Sequence, residues 1–176
     1  MQFSNPREAV LQFSLREGMR VADMGTGSGH YAHAAAGIVG ERGRVYAIDI
    51  QEDVLKHVRE GAHPRILGSL ETIWGDFERV GGTRLRDGVL DAAILANTLF
   101  QLEDHQGAAA EIRRVLKPQG RLLVVDWAGP YDGMGPSAES VYAEHAAEEL
   151  FIGSGFHKEK AFRAGPHHYA LVFTTP

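Results

Sequence analysis

Val21-Ala22-Asp23-Met24-Gly25-Thr26-Gly27-Ser28-Gly29 is a short apolar run that stops at a loop with glycine at every second position. Val21 to Met24 is apolar nearly throughout rather than alternating, the pattern of a strand buried on both faces of a parallel sheet. Without Cβ atoms the loop can take positive φ and let a ligand lie directly against the backbone. Tyr31 to Val39 follows as a helix, and a helix start offers free N–H groups to the electron-rich end of a ligand. Read alone, the loop is equally well a tight strand-to-helix turn.

Outward from this stretch, Val45 to Ile48, Ala92 to Ala96 and Leu122 to Val125 repeat the buried-strand pattern, and Leu70 to Trp74 adds a further strand before Gly75-Asp76. Helical patterns lie between them at Asp53 to Arg59 and at Ala108 to Leu116, where Ala108, Ile112, Val115 and Leu116 share one face. Strand alternating with helix predicts an α/β domain, a doubly wound sheet with right-handed crossovers and helices on both sides. After a Gly-Pro-rich loop at 128–137, a helix with Ala143, Ala146, Ala147 and Leu150 on one stripe precedes Phe156 to Phe162 and Tyr169 to Thr174, joined through Gly165-Pro166 as a hairpin. The sheet is then mostly parallel, with one antiparallel strand in that C-terminal hairpin.

Composition bounds the rest. The chain has 176 residues, enough for one domain over 1–176, and its formal charge of -5 provides no broad basic face for a phosphate backbone, so nucleic acid is not an expected partner. Cysteine is absent, which removes disulfides, thiolate zinc sites and a cysteine nucleophile and points to the reducing cytoplasm. Met1 to Val10 is polar and has no signal-type apolar region, and no apolar run reaches spanning length, so membrane insertion is not expected. A homodimer is compatible with these features.

Asp49 ends the second strand twenty positions after Gly29, where a carboxylate can take both hydroxyls of a ribose. It could instead cap the helix after it, but a cap leaves the glycine loop one strand away unexplained. Which nucleoside is meant turns on spacing. The dinucleotide pattern G-x-G-x-x-G in the register of Gly25 and Gly27 needs glycine at position 30, where His30 stands, and no Tyr-x-x-x-Lys pair of a reductase is present.

The G-x-G-x-G loop, Asp23 before it, Trp74-Gly75-Asp76-Phe77 and Leu116-Lys117-Pro118-Gln119-Gly120-Arg121 running into Leu122 to Asp126 together resemble class I S-adenosylmethionine-dependent methyltransferases. The likeness, from about Gly18 to Trp127, is to the small-molecule branch typified by the ubiquinone/menaquinone C-methyltransferases. It implies a single Rossmann-like domain with S-adenosylmethionine as cofactor, S-adenosylhomocysteine as product and a small-molecule methyl acceptor as partner. Asp23 and the loop Gly25, Thr26, Gly27, Ser28 and Gly29 would hold the methionine part. Asp49 would take the ribose, Ile50 would pack on the adenine, Asp76 would accept from its amino group with Phe77 beside the ring, and Asn97 would border the sulfonium. One departure is Gln119, where the family commonly has glycine. Inserted helices over the site are also few, leaving residues 1–16 and 128–139 as candidate lid segments.

In-line methyl transfer needs the acceptor held opposite the reactive bond more than it needs a strong base. Groups that could assist stand at the carboxyl ends of the strands: Asn97, Gln101, Glu103, Asp104 and His105 after the fourth strand, and Asp126 with Trp127 after the fifth. Asn97, His105 and Asp126 are the candidate catalytic residues. Glu103, Asp104 and His105 also suit a helix start, whereas Asp126 after four apolar residues has no evident packing role. No metal site is expected from the nine histidines: His167 and His168 are adjacent on a strand and point apart, and His30 and His33 lack a nearby carboxylate. Two other readings stand beside the main one: a protein or RNA methyltransferase with a basic rim of Arg84, Arg86, Arg113 and Arg114, and a non-catalytic cofactor-binding module.

Overall fold

Asn5-Pro6 sets where the first helix starts. The Asn5 side chain accepts from Glu8 N at 3.2 Å, and Pro6 stands in the first turn, where its missing N–H costs nothing. The computed structural model describes residues 5–131 and 133–176; residues 1–4 and Asp132, parts of the two candidate lid segments, lie outside them. The elements in order are α1 (Pro6–Gln12), β1 (Arg20–Met24), α2 (His30–Val39), β2 (Arg44–Asp49), α3 (Glu52–Glu60), β3 (Leu70–Trp74), β4 (Leu90–Ala96), α4 (His105–Val115), β5 (Leu116–Trp127), α5 (Glu144–Gly153), β6 (His157–Gly165) and β7 (His168–Thr174).

The strands form one seven-stranded sheet in the order β3-β2-β1-β4-β5-β7-β6. β1, β2, β3, β4 and β5 pair in parallel, and β7 runs antiparallel to both β5 and β6. The single reversed strand expected from the hairpin is therefore β7. Val21, Val45, Ala92, Ile94, Leu123 and Val125 turn to one face, under α1 and α2, while Met24, Ile48, Leu95, Leu122 and Val124 turn to the other, under α4 and α5. Both faces are apolar because both are covered, which is why these strands do not alternate in sequence. The described part of the first candidate lid, residues 5–16, is α1 and the turn after it. It lies along the sheet with Ala9, Val10 and Phe13 buried, pinned by Arg121 and Lys160 to the carbonyls of Phe13 and Gln12.

Gln119 occupies its tight turn at φ +59, the left-handed conformation that glycine adopts at least cost. The departure from the family pattern thus leaves the geometry intact and places a side chain where glycine is easier. The crossover from β3 to β4, residues 75–89, differs from its neighbours in carrying no helix. It is held instead by Glu111 on α4, fully buried, which accepts from Gly81 N at 2.7 Å, from Thr83 N at 3.1 Å and from Thr83 Oγ1 at 2.5 Å, and pairs with Arg114 at 2.7 Å. Burial works to raise the Glu111 pKa, but the bonds from Arg114, Thr83 and Gly81 outweigh it and hold it down to about 2.

Candidate functional site

β1 and β4 are neighbours whose connections leave in opposite directions, so a crevice opens at their carboxyl ends. Gly25, Gly27 and Gly29 all have positive φ there, at +68, +49 and +76. The three differ in surroundings. A Cβ at Gly25 would lie 2.9 Å from Thr98 Cγ2 and one at Gly29 2.9 Å from Val58, whereas at Gly27 nothing comes within 4 Å. The outer two glycines are needed for close packing, and the middle one leaves its backbone facing open space.

That space is a cavity of about 320 Å³, large enough for a small ligand. Six of the expected cofactor residues meet in its wall: Gly25, Gly27, Asp49, Ile50, Asp76 and Phe77. Asp49 is 8% exposed, accepting from Gly27 N at 3.1 Å through Oδ2 and from Gln51 N at 3.0 Å through Oδ1. It therefore ties the glycine loop to β2 and still presents a second lone pair on each oxygen. Ile50 is 60% exposed over the cavity, an apolar surface without a partner. Asp76 accepts from Glu78 N and pairs with Arg79, both at 3.0 Å.

Other expected residues take different places. Asp23 lies behind the loop, not in the cavity wall: its buried carboxylate accepts from Thr26 Oγ1 at 2.7 Å and Ala32 N at 3.0 Å, joining the loop to α2. Burial, with Asp49 nearby, pushes its pKa from 3.8 up to about 7 against these two bonds. The unfolded chain thus releases this proton first as pH rises, so the Asp23 contribution to stability is present at low pH and is lost between 3.8 and about 7. Urea unfolding should show the wild type losing stability relative to Asp23→Asn across that window; a constant difference would contradict the assignment.

Ser28 is exposed and bonds His30 Nδ1 at 2.9 Å, while His33 Nε2 bonds Val58 O at 2.8 Å. Among the described residues no group of three metal-ligating side chains exists. His167 lies tilted against the Tyr131 ring at 3.8 Å and His168 against the Trp127 ring at 4.3 Å. Asp104 is the N-cap of α4, accepting from Gly107 N at 2.8 Å. His105 Nε2 bonds Leu99 O at 2.9 Å and its ring stacks on Tyr142 at 4.4 Å, away from the cavity wall.

Asp126 corrects the reading of its role. It has a packing role after all: at 0% exposure it accepts from Thr98 N at 3.1 Å, Leu99 N at 2.8 Å and Trp127 N at 2.8 Å. Desolvation raises its pKa to about 6 despite those bonds. It shapes the turn after β4, where Asn97 adopts φ +56 with its Oδ1 buried and without a hydrogen-bond partner, and where Thr98 presses on Gly25. Gln51, Val54, Glu78, Thr98, Gln101 and Leu102 complete the cavity wall. Gln101 was legible as a polar residue after a strand end; Gln51, Glu78 and Thr98 were signalled only by standing next to Ile50, Phe77 and Asn97, and nothing in the sequence signalled Val54 or Leu102.

Of the four arginines that could make a basic rim, only Arg84 borders the site, beside Ile50 and Trp74. Arg114 is engaged by Glu111 and Asp87, and Arg113 bonds Ser154 O. Gly135 is laid against Trp127, where a Cβ would sit 2.6 Å from the indole, and no described residue of 128–139 lines the cavity. No helix among the described residues is long and apolar enough to cross a membrane.

The strand order with β7 reversed, the left-handed glycine loop and the carboxylate ending β2 define a class I S-adenosylmethionine-dependent methyltransferase fold. A methyltransferase domain family model matches residues 15–163, and the chain belongs to that family. The ubiquinone/menaquinone biosynthesis C-methyltransferase of Serratia proteamaculans is 31% identical over 137 residues, which are 77% of this chain and 53% of that protein. A solved S-adenosylmethionine-dependent methyltransferase from Aquifex aeolicus superposes with a TM-score of 0.89 at 28% identity, covering 99% of this chain and 91% of its own. A type 11 methyltransferase structure from Sulfolobus solfataricus gives 0.77 at 26%, covering 99% and 95%. The chain spans about half the length of the curated relative from Serratia.

Proposed function

We propose that the chain binds S-adenosylmethionine in the cavity beside the glycine loop and transfers its methyl group to a small-molecule acceptor. The observation that carries this is the convergence of Gly27, Asp49, Ile50, Asp76 and Phe77 on one space, with the Gly27 backbone bare and the Asp49 oxygens holding free acceptor capacity. Bound there, the cofactor would supply a methyl carbon activated by positive sulfur, open to displacement by an acceptor electron pair with sulfur keeping the electrons of the broken bond and solvent taking the acceptor proton.

Asp49 would take the ribose hydroxyls, Ile50 and Phe77 would sandwich the base, and the Gly25–Gly29 loop would hold the methionine end with Asp23 keeping the loop on α2. Asn97 supplies, at the turn after β4, a buried side-chain oxygen without a donor, suited to receive an N–H or O–H of the acceptor. Asp126 would act through the turn it holds, as a positioning residue. The absence of cysteine favours a cytoplasmic setting.

Incubation with S-adenosylmethionine and a panel of phenols, quinols and amines should release S-adenosylhomocysteine steadily with at least one acceptor class. Tight cofactor binding without any turnover would favour the silent module, and turnover only with protein or RNA would replace the small-molecule reading.

A further inference from the structure

β3 and β6 are the two edges of the sheet, and their sequences treat the exposed backbone differently. β6 carries Lys158, Glu159 and Lys160 in a row and shows two register irregularities against β7, devices that keep an edge from pairing. β3, Leu70-Glu71-Thr72-Ile73-Trp74, has one charge and an unbroken parallel register with β2. Val45 N donates to Ser69 O at 2.7 Å and Gly75 N to Asp49 O at 3.1 Å. The ladder therefore turns the backbone groups of Glu71 and Ile73 toward β2 and those of Thr72 and Trp74 outward. Leu70 N is taken by Ile66 O at 3.0 Å, and its carbonyl also faces out.

This edge is unfinished. Trp74 and Leu67 are 49% and 45% exposed, the Trp74 indole donating to Ile50 O at 2.9 Å and carrying the Arg84 guanidinium 4.9 Å over its ring. The helix-free crossover leaves a groove of about 470 Å³ against the sheet, lined in part by Tyr46, Ile73, Glu71 and three arginines, Arg20, Arg84 and Arg86. Among the described residues none of these four charges is ion-paired. The groove carries three guanidiniums and one carboxylate, so a two-fold contact that brings each Glu71 to the arginines of a second copy gives the same favourable pair twice.

We propose that β3 pairs with β3 of a second copy of this chain, antiparallel about a two-fold axis at Thr72, so that two seven-stranded sheets become one. Thr72 and its counterpart exchange N–H to carbonyl bonds across the axis, and Trp74 N donates to the carbonyl of the partner's Leu70. Glu71 stands opposite the partner's Ile73 on the groove face, beside guanidiniums that have no carboxylate of their own. Trp74 covers the partner's Leu70 on the opposite face.

The chain has no cysteine, so Thr72→Cys places a single thiol on the axis, where hydrogen-bonded antiparallel neighbours lie about 5.5 Å apart at Cα, within disulfide reach. Sedimentation velocity of the wild type should show a concentration-dependent species of twice the monomer mass, and mild oxidation should convert Thr72→Cys to a covalent dimer while Ala161→Cys on β6 stays monomeric. Glu71→Arg should raise the dimer dissociation constant roughly tenfold or more with the far-UV spectrum and melting midpoint of the monomer unchanged. A wild type that stays monomeric at its highest soluble concentration, whether or not another protein binds it, overturns the proposal. So does a dimer captured through Ala161→Cys and not Thr72→Cys.

Discussion

Asp49→Ala weakens S-adenosylhomocysteine binding by roughly a hundredfold in titration calorimetry, because one carboxylate serves both the loop and the ligand. In the free protein its oxygens accept from Gly27 and Gln51, so removal takes away the Gly27 tie and leaves the Thr26 N to Ile48 O bond to hold the loop at the end of β2. In the complex the same oxygens would receive the ribose hydroxyls, and charge-assisted bonds of that kind contribute about 1.5–3 kcal/mol each. Asp49→Asn is the sharper variant. It keeps the shape but can place an amide N–H against the N–H of Gly27 or Gln51, so it should recover little of the loss. An Asp49→Ala protein that binds as well as wild type would remove the ribose assignment.

The largest expected loss of stability comes from a residue that touches no ligand. Glu111→Ala should destabilise the fold by about 3–5 kcal/mol, since it leaves the Arg114 guanidinium and the donors of Thr83 and Gly81 without their common acceptor. For a chain of this size that corresponds to a fall in Tm on the order of 10 °C. The depressed Glu111 pKa adds a sign: its contribution is complete above the ordinary 4.5 and is lost as pH falls toward about 2. Thermal scans of wild type and Glu111→Gln should converge on acidification, and a gap that widens instead would contradict the assignment. The crossover that Glu111 anchors also carries Asp76, Phe77 and Glu78, so cofactor affinity should weaken in parallel.

Buried parallel strands advertise themselves, and Val21 to Met24, Val45 to Ile48, Leu70 to Trp74 and Ala92 to Ala96 were each readable to within two residues of their observed ends. The glycine spacing and the strand-end acid revealed Gly25, Gly27 and Asp49 in the cavity wall, because a ligand lying on bare backbone constrains residue type, while Ile50, Asp76 and Phe77 were implied only by the resemblance to the methyltransferase family. What stayed hidden depends on long-range contacts. α1 escaped notice among polar residues, although Asn5-Pro6 and the buried Ala9, Val10 and Phe13 carry its start and its inner face. Nothing local in Asp126 shows that three backbone N–H groups converge on it from the β4 turn and its own strand, a bonding role that an acid at a strand end does not reveal by itself. Asp23 follows the same pattern behind the loop. The helix-free crossover was unreadable for a related reason: the buried Glu111 that replaces a helix there belongs to a different element.

The central claim is most directly tested by a crystal structure of the chain grown with S-adenosylhomocysteine. The account predicts adenosine density between Ile50 and Phe77, the ribose hydroxyls on Asp49, and the amino-acid end against the Gly25–Gly29 backbone. Density for the ligand elsewhere, or none at saturating concentration with that cavity unchanged, would contradict it.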